Sequence, residues 1–340
     1  MAVVCALAAA CAACASNGGD TTQRPTVSSE PVTLELPDAV GIDGAPTTPL
    51  TRLETATVYL DSPDWTAQLG TSLWVRLDSG HVVRVDPRSA EVLADVKPRG
   101  SSQFAACQAF GVSTDAVWAC GKALVQRIDP ATNRVVQTFE LDVSHLQGHA
   151  AFSDDKMWLL AADGRSLLPI DTTTSEVGTP LPLDVPCTDL AGSGETVWTV
   201  CPWDNQVLAV DVTSGSVTYR LGLAGAAGIA LGDHLWVASA AGLVQLDPDD
   251  QSVEAVYDLG AVKALDVAEG AHATWVRTGW NRTEPGPTFL VGIDPVAHQV
   301  TSVVTAPKIS SGGTTQEIDG QIWTSAYDDG RLVRLDIPGS

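Results

Sequence analysis

The sequence predicts an all-β fold, a seven-bladed β-propeller of four-stranded antiparallel blades whose last blade is closed by an N-terminal strand. Three observations carry this prediction. First, a Trp recurs as LWV at Trp74, VWA at Trp118, MWL at Trp158, VWT at Trp198, LWV at Trp236 and IWT at Trp323. With Trp275 as the seventh, the spacings run from 38 to 48 residues, the period of a propeller blade. Second, an alternating strand ending in Asp follows each Trp, at Asp86, Asp129, Asp171, Asp211, Asp247, Asp294 and Asp336. Third, thirty Gly, twenty Pro and only two Met in 340 residues suit many short strands and turns better than a helical bundle.

Each repeat resolves into strands A to D. The Trp marks strand B, and turn formers such as Asp78-Ser79-Gly80, Asp163-Gly164, Asp204-Asn205 and Asp328-Asp329-Gly330 follow it, as a hairpin with positive φ at its centre requires. Strand C ends at the Asp, whose short side chain can accept from the backbone amides of the turn it opens. A second apolar strand such as VVQTFEL or VEAVYDL is strand D. Apolar residues on both faces make the seven Trp inter-blade filler rather than ligand contacts. The last repeat runs out after strand C, and ATVYLDSPDW, around Thr55 to Leu60, matches the outer strand EAVYDL of another repeat. It is the expected closing strand, with Pro31 to Leu36 as the alternative.

Ahead of the repeats the chain divides twice. Residues 1–15 are an apolar, uncharged segment, too short to span a bilayer and ending in small residues, as an export signal does. Small residues before Cys14 resemble a bacterial lipobox, which implies acylation of Cys14. Cys11 is the other candidate, and an ordinary secretory signal the other reading. Residues 16–50 are rich in Thr, Pro, Ser and Gly without sustained period and are expected to form a disordered tether. Residues 51–340 are the propeller.

The stretch ALVQRIDPATNRVVQTFEL, Ala123 to Leu141, resembles the YVTN-type propeller repeat. The LWV and LDP landmarks are also similar to the streptogramin lyase type of propeller, and the similarity covers roughly Trp65 to Asp336. That second resemblance implies a metal-dependent lyase or hydrolase as the alternative function, with a Glu shortly after the repeat Trp. Here the third residue after each Trp is Leu77, Gly121, Ala161, Cys201, Ser239, Thr278 or Ala326, none able to ligate a metal as a carboxylate would. His272, near Glu269, is the only His close to a Glu in the repeat core, and it falls in an A to B turn.

Cys107 and Cys187 each stand eleven residues before their Trp. Within-blade disulfides Cys107 to Cys120 and Cys187 to Cys201 are expected, with free buried thiols as the alternative, and disulfides fit an exported protein. The net charge of −22 argues against nucleic acid and against anionic lipid surfaces. Membrane contact would come through the lipid anchor alone. The B to C and D to A loops share one face, where ligand sites of such rings usually lie. Candidate ligand-binding residues there are Arg277, Trp280, Arg282, Trp203, Tyr327, His145, His149 and Lys263. Blade six is the most individual, with 19 residues from Trp275 to Asp294 where its counterparts have 11 to 13. No cofactor, metal or catalytic residue is expected. The expectation is a monomeric, extracytoplasmic binding or scaffold module whose partner is a protein or small ligand of the cell envelope, anchored by lipid or else secreted.

Overall fold

The computed structural model describes residues 30–100, 109–121, 124–141, 149–153, 155–260, 263–279, 288–306 and 313–339. They form seven sheets, each with four antiparallel strands, in sequence order in all but the last, arranged as a ring about a central axis. Blade 1 is Pro63–Leu69, Ser72–Leu77, Val82–Val85 and Val92–Val96. Blade 7 takes strands A to C from Thr315–Ile318, Gln321–Ala326 and Arg331–Asp336, and its outer strand is Glu54–Tyr59, antiparallel to the third. The N-terminal segment therefore latches the ring where the repeat arithmetic requires it.

Each Trp closes one interface. All seven are at most 2% exposed, and each packs with apolar residues of the following blade. Trp74 meets Phe110 and Val117 of blade 2, and Trp323 meets Leu73 and Val75 of blade 1, so the series closes on itself. The Asp landmarks cap their turns as expected. Asp86 accepts from the amides of Arg88 and Ser89, and Asp129, Asp171, Asp211, Asp247 and Asp294 do the same for their own turns. The B to C turns place Gly80, Gly164, Asn205 and Gly330 at positive φ.

Polar staples add direction to this packing. Two residues before the Asp, Arg84, Gln245 and Arg334 each donate to a carbonyl in the C to D turn of the next blade, at Pro130 (2.7 Å), Pro295 (3.0 Å) and Pro87 (3.1 Å). Two interfaces carry a further tie at the base of the ring. Glu269 accepts from the Trp236 indole (2.7 Å) and pairs with His234 Nδ1 (3.1 Å), and Glu317 does the same with Trp275 (2.8 Å) and His272 (2.6 Å). His272 thus pairs across the blade boundary with Glu317 rather than with its sequence neighbour Glu269. Gly232 and Gly270 leave the space, since a Cβ on either would lie 2.1–2.2 Å from the Glu oxygen.

Two expectations are corrected. The segment expected as tether up to residue 50 is bound to the ring from residue 32 onward. Val32–Thr33, Val40–Gly41 and Thr47–Pro49 add parallel fifth strands to the outer edges of blades 4, 5 and 6. Pro31 to Leu36, the alternative closing strand, accordingly lies at blade 4 and not in the last blade. Backbone pairing to an exposed strand edge needs no hydrophobic period, so composition alone gave no sign of it. Residues 16–29 and Cys14 lie outside the described residues.

The Cys187 to Cys201 disulfide is present, joining the start of strand A to the end of strand B in blade 4. Cys120 is disulfide-bonded, while Cys107, its expected partner, lies outside the described residues. Two stability outcomes follow from this architecture. Trp158→Ala should cost about 3–5 kcal/mol, read as a lower urea midpoint. Cys187→Ser should cost about 3 kcal/mol relative to the oxidised protein, with no difference once both are reduced.

Candidate functional site: the channel mouth

Strand A is the innermost strand of each blade, so the residues at its mouth end crowd around the axis. One position repeats there with fixed register. Trp65, Ala109, His149, Asp189, Asp266 and Thr314 each stand nine residues before their blade's Trp. Each lies opposite the residue two past that Trp, as in the pairs Trp65 with Arg76, Asp189 with Val200 and Asp266 with Arg277. Four of these six side chains are ionisable or aromatic, and Asp64 joins them through a bulge between Pro63 and Trp65.

His149 is the hub. Its Nδ1 lies 2.9 Å from Asp189 Oδ1, which also accepts from the His149 backbone N–H. The Trp65 ring meets the imidazole edge-on at 4.3 Å. Burial opposes charge on this imidazole, but the carboxylates of Asp189, Asp266 and Asp64 outweigh it and raise its pKa to about 9. One imidazole coupled to carboxylates of blades 1, 4 and 6 can only sit near the axis. Burial works against the Asp189 carboxylate too, yet His149 and backbone amides hold its pKa below the usual range. Burial dominates at the other two acids: Asp64 is pushed up to about 6, and Asp266 is raised although Thr315 N–H donates to it at 2.7 Å.

Behind this ring lie two buried guanidinium groups on strand B. Arg76 (2% exposed) faces Asp64 and Asp78; Arg277 (1% exposed) faces Asp266 and Asp329. Arg277 donates to the carbonyls of Thr278 and Phe289, with its guanidinium 3.8 Å from the Phe289 ring centroid. Burial lowers both pKa values, and a guanidinium still stays protonated at neutral pH.

The residues expected at this face divide into three groups. His149 is in the cluster. Arg277 is next to it, but in strand B rather than a loop, and it does not reach solvent. Trp203 (69% exposed) and Tyr327 sit in 3-10 turns of the B to C loops of blades 4 and 7. Burial, the charge of Asp78 and a hydrogen bond to it raise the Tyr327 pKa to about 12. Lys263 is exposed beside a cleft of about 540 Å³ between blades 5 and 6, lined by Gly225, Ala227, Ala240 and Asp258 among others. A narrow crevice sharing Ala238 and Ala264 with this cleft ends at His149 and Asp266. Trp280, Arg282 and His145 lie outside the described residues. Sequence reasoning missed Asp64, Trp65, Asp189 and Asp266, and the offset of nine from the Trp would have found the last three.

These features define a seven-bladed β-propeller with a ring of partly buried, coupled charges at one end of its axis, backed by two buried guanidinium groups. No protein-family model and no curated protein matches the chain. Among solved structures, the β-propeller domain of Cps50 (Swd1) from Myceliophteria thermophila is similar, with a TM-score of 0.69 and 14% identity. The match covers 84% of this chain and 99% of that domain. At that identity the likeness shows the fold alone.

The shifted pKa values give opposite pH signatures. The folded-state pKa of His149 lies above its ordinary 6.5, so its stabilising contribution is complete below about 6.5 and is lost as pH rises through about 9. The advantage of the native chain over His149→Gln should shrink over that window in urea titrations. Asp64 is also raised, from 3.8 to about 6, so the native chain loses stability relative to Asp64→Asn as pH rises through about 4 to 6.

Proposed function

We propose that this chain is an exported, lipid-anchored propeller acting as a non-catalytic binding or scaffold module at the bacterial cell envelope. It captures a protein or small ligand at the channel mouth. The observation that carries the reading is the cluster of Asp64, His149, Asp189 and Asp266, with Arg76 and Arg277 behind it, at the mouth end of blades 1, 3, 4 and 6. Burying so many charges is costly unless they are paired. A prearranged set of donors and acceptors beside an open cleft is what ligand sites share. The Cys187 to Cys201 disulfide supports an oxidising compartment, and acylation of Cys14 would hold the ring at the membrane.

The lyase or hydrolase alternative is less favoured. Among the described residues no three His, Cys, Asp or Glu come together as a metal-ligand set, and the third residue after each repeat Trp is never a carboxylate.

Cross-linking in intact envelopes tests the reading. Trp203→Ala and Lys263→Ala alter exposed mouth residues and should leave folding intact while lowering capture of a cross-linked partner roughly ten-fold together. Unchanged capture would remove the mouth from consideration. Cys14→Ala should move the protein from the membrane to the soluble fraction, and continued membrane retention would refute the anchor.

A further inference from the structure

We propose that a second cleft, between blades 2 and 3 on the base of the ring opposite the mouth, binds a neutral sugar residue of a glycan. The cleft has a volume of about 470 Å³, within the span of small-molecule sites. Its walls come from the A to B turn and strands C and D of blade 2, and from strand A, the A to B turn at Asp155 and the C to D turn of blade 3.

Three properties of the lining point to a sugar. Phe152 of blade 3 supplies a half-buried aromatic wall over Gly111 of blade 2, where an added Cβ would lie 2.5 Å from the ring. An aromatic face of this kind suits the apolar C–H face of a pyranose. Arg127 donates to Asp115 Oδ2 at 2.6 Å, with 63% of the Asp115 side chain still exposed. That pair presents donors and acceptors while its charges cancel, and with Asp155 also in the lining the cleft has no surplus of cations to attract an anion. Apart from the Asp155 carboxylate, the remaining polar side chains are neutral. Gln137, in the lining, accepts from the Ser175 hydroxyl through its Oε1, so its amide N–H groups are not used in that bond. The hydroxyls of Thr114 and Thr173 line the cleft and make no hydrogen bond among the described residues. A ring bearing adjacent hydroxyls, each both donor and acceptor, matches this set.

The site is also held in shape before any ligand arrives. Asp171 accepts from the amides of Thr173 (2.9 Å) and Thr174 (2.6 Å), and Thr172 donates its N–H and hydroxyl to Asp155 O (2.6 and 2.7 Å). Preorganisation of this kind lowers the cost of binding.

The cleft shares no residue with the mouth, so the two proposals stand or fall separately. The Trp118 indole donates to Ser113 Oγ at 3.0 Å beside the cleft, and its N–H resonance is a local reporter. The full chain would be titrated with cellobiose, maltose and chitobiose, and with glucuronate and inorganic phosphate as anionic counterparts. At least one neutral disaccharide should shift the Trp118 indole resonance saturably at millimolar concentration, and neither anion should. Asp115→Asn and Phe152→Leu should each weaken that binding roughly ten-fold, whereas Lys263→Ala on the opposite face should leave it unchanged. No shift with any neutral sugar up to about 20 mM, stronger binding of glucuronate or phosphate, or binding unaltered in both cleft variants would overturn the proposal.

Discussion

The structure depends on one packing event carried out seven times, the insertion of a strand B Trp into the apolar face of the next blade. A four-stranded sheet of this length has two apolar faces and cannot bury both alone. A ring of such sheets can, because every face finds a neighbour. Large flat side chains suit the widening gap between wedges, and each indole buries enough surface to dominate its interface. A ring has no end to cap, so a defect at one interface opens the circle. That explains why the N-terminal segment, after following blades 4 to 6, ends as the outer strand of blade 7: the seam is tied by a strand distant in sequence, and the chain cannot unzip from either terminus without breaking a sheet.

The polar additions lie on that frame and differ by face. At the base, Asp side chains cap the C to D turns, Arg84, Gln245 and Arg334 staple blade to blade, and Glu269 and Glu317 tie the indole N–H of Trp236 and Trp275. Each of these satisfies a buried donor or a turn amide, so their role in holding the frame is evident. At the mouth the polar groups satisfy mainly one another. His149 stabilises the Asp189 carboxylate, whereas Asp64 and Asp266 remain shifted toward their neutral forms. Compensation is therefore incomplete where it would be easiest for a fold to avoid charge altogether, as Ala109 does at the same position in blade 2.

The sequence disclosed the frame far better than the chemistry, for a physical reason. Packing between blades imposes the same demand seven times, so Trp and Asp return at a fixed period and the closing strand can be inferred from the blade that lacks one. A binding surface makes no repeated demand. At the offset nine before the Trp, the residues are Trp, Ala, His, Asp, Ala, Asp and Thr, a series with no motif, and only the common register shows that they meet. Arg277 reads from sequence as a loop residue, because a cation near a turn looks exposed where nothing in the local pattern shows the Phe289 ring and Asp266 beside it. The rim strands from Val32 to Pro49 escaped notice because two or three backbone pairs require no particular side chains.

The distribution of charge bears on what the ring can accept. The chain as a whole is strongly acidic, which repels polyanions at a distance, yet the cations nearest the axis, buried Arg76 and Arg277 and half-buried His149, are already faced by carboxylates. A ligand approaching the mouth thus meets an electrostatic surface that is nearly balanced at close range and negative further out. Balanced, preorganised polar surfaces select by the arrangement of hydrogen bonds more than by net charge. Selection would then reside in the side chains that differ from blade to blade, while the invariant indole packing keeps them in register.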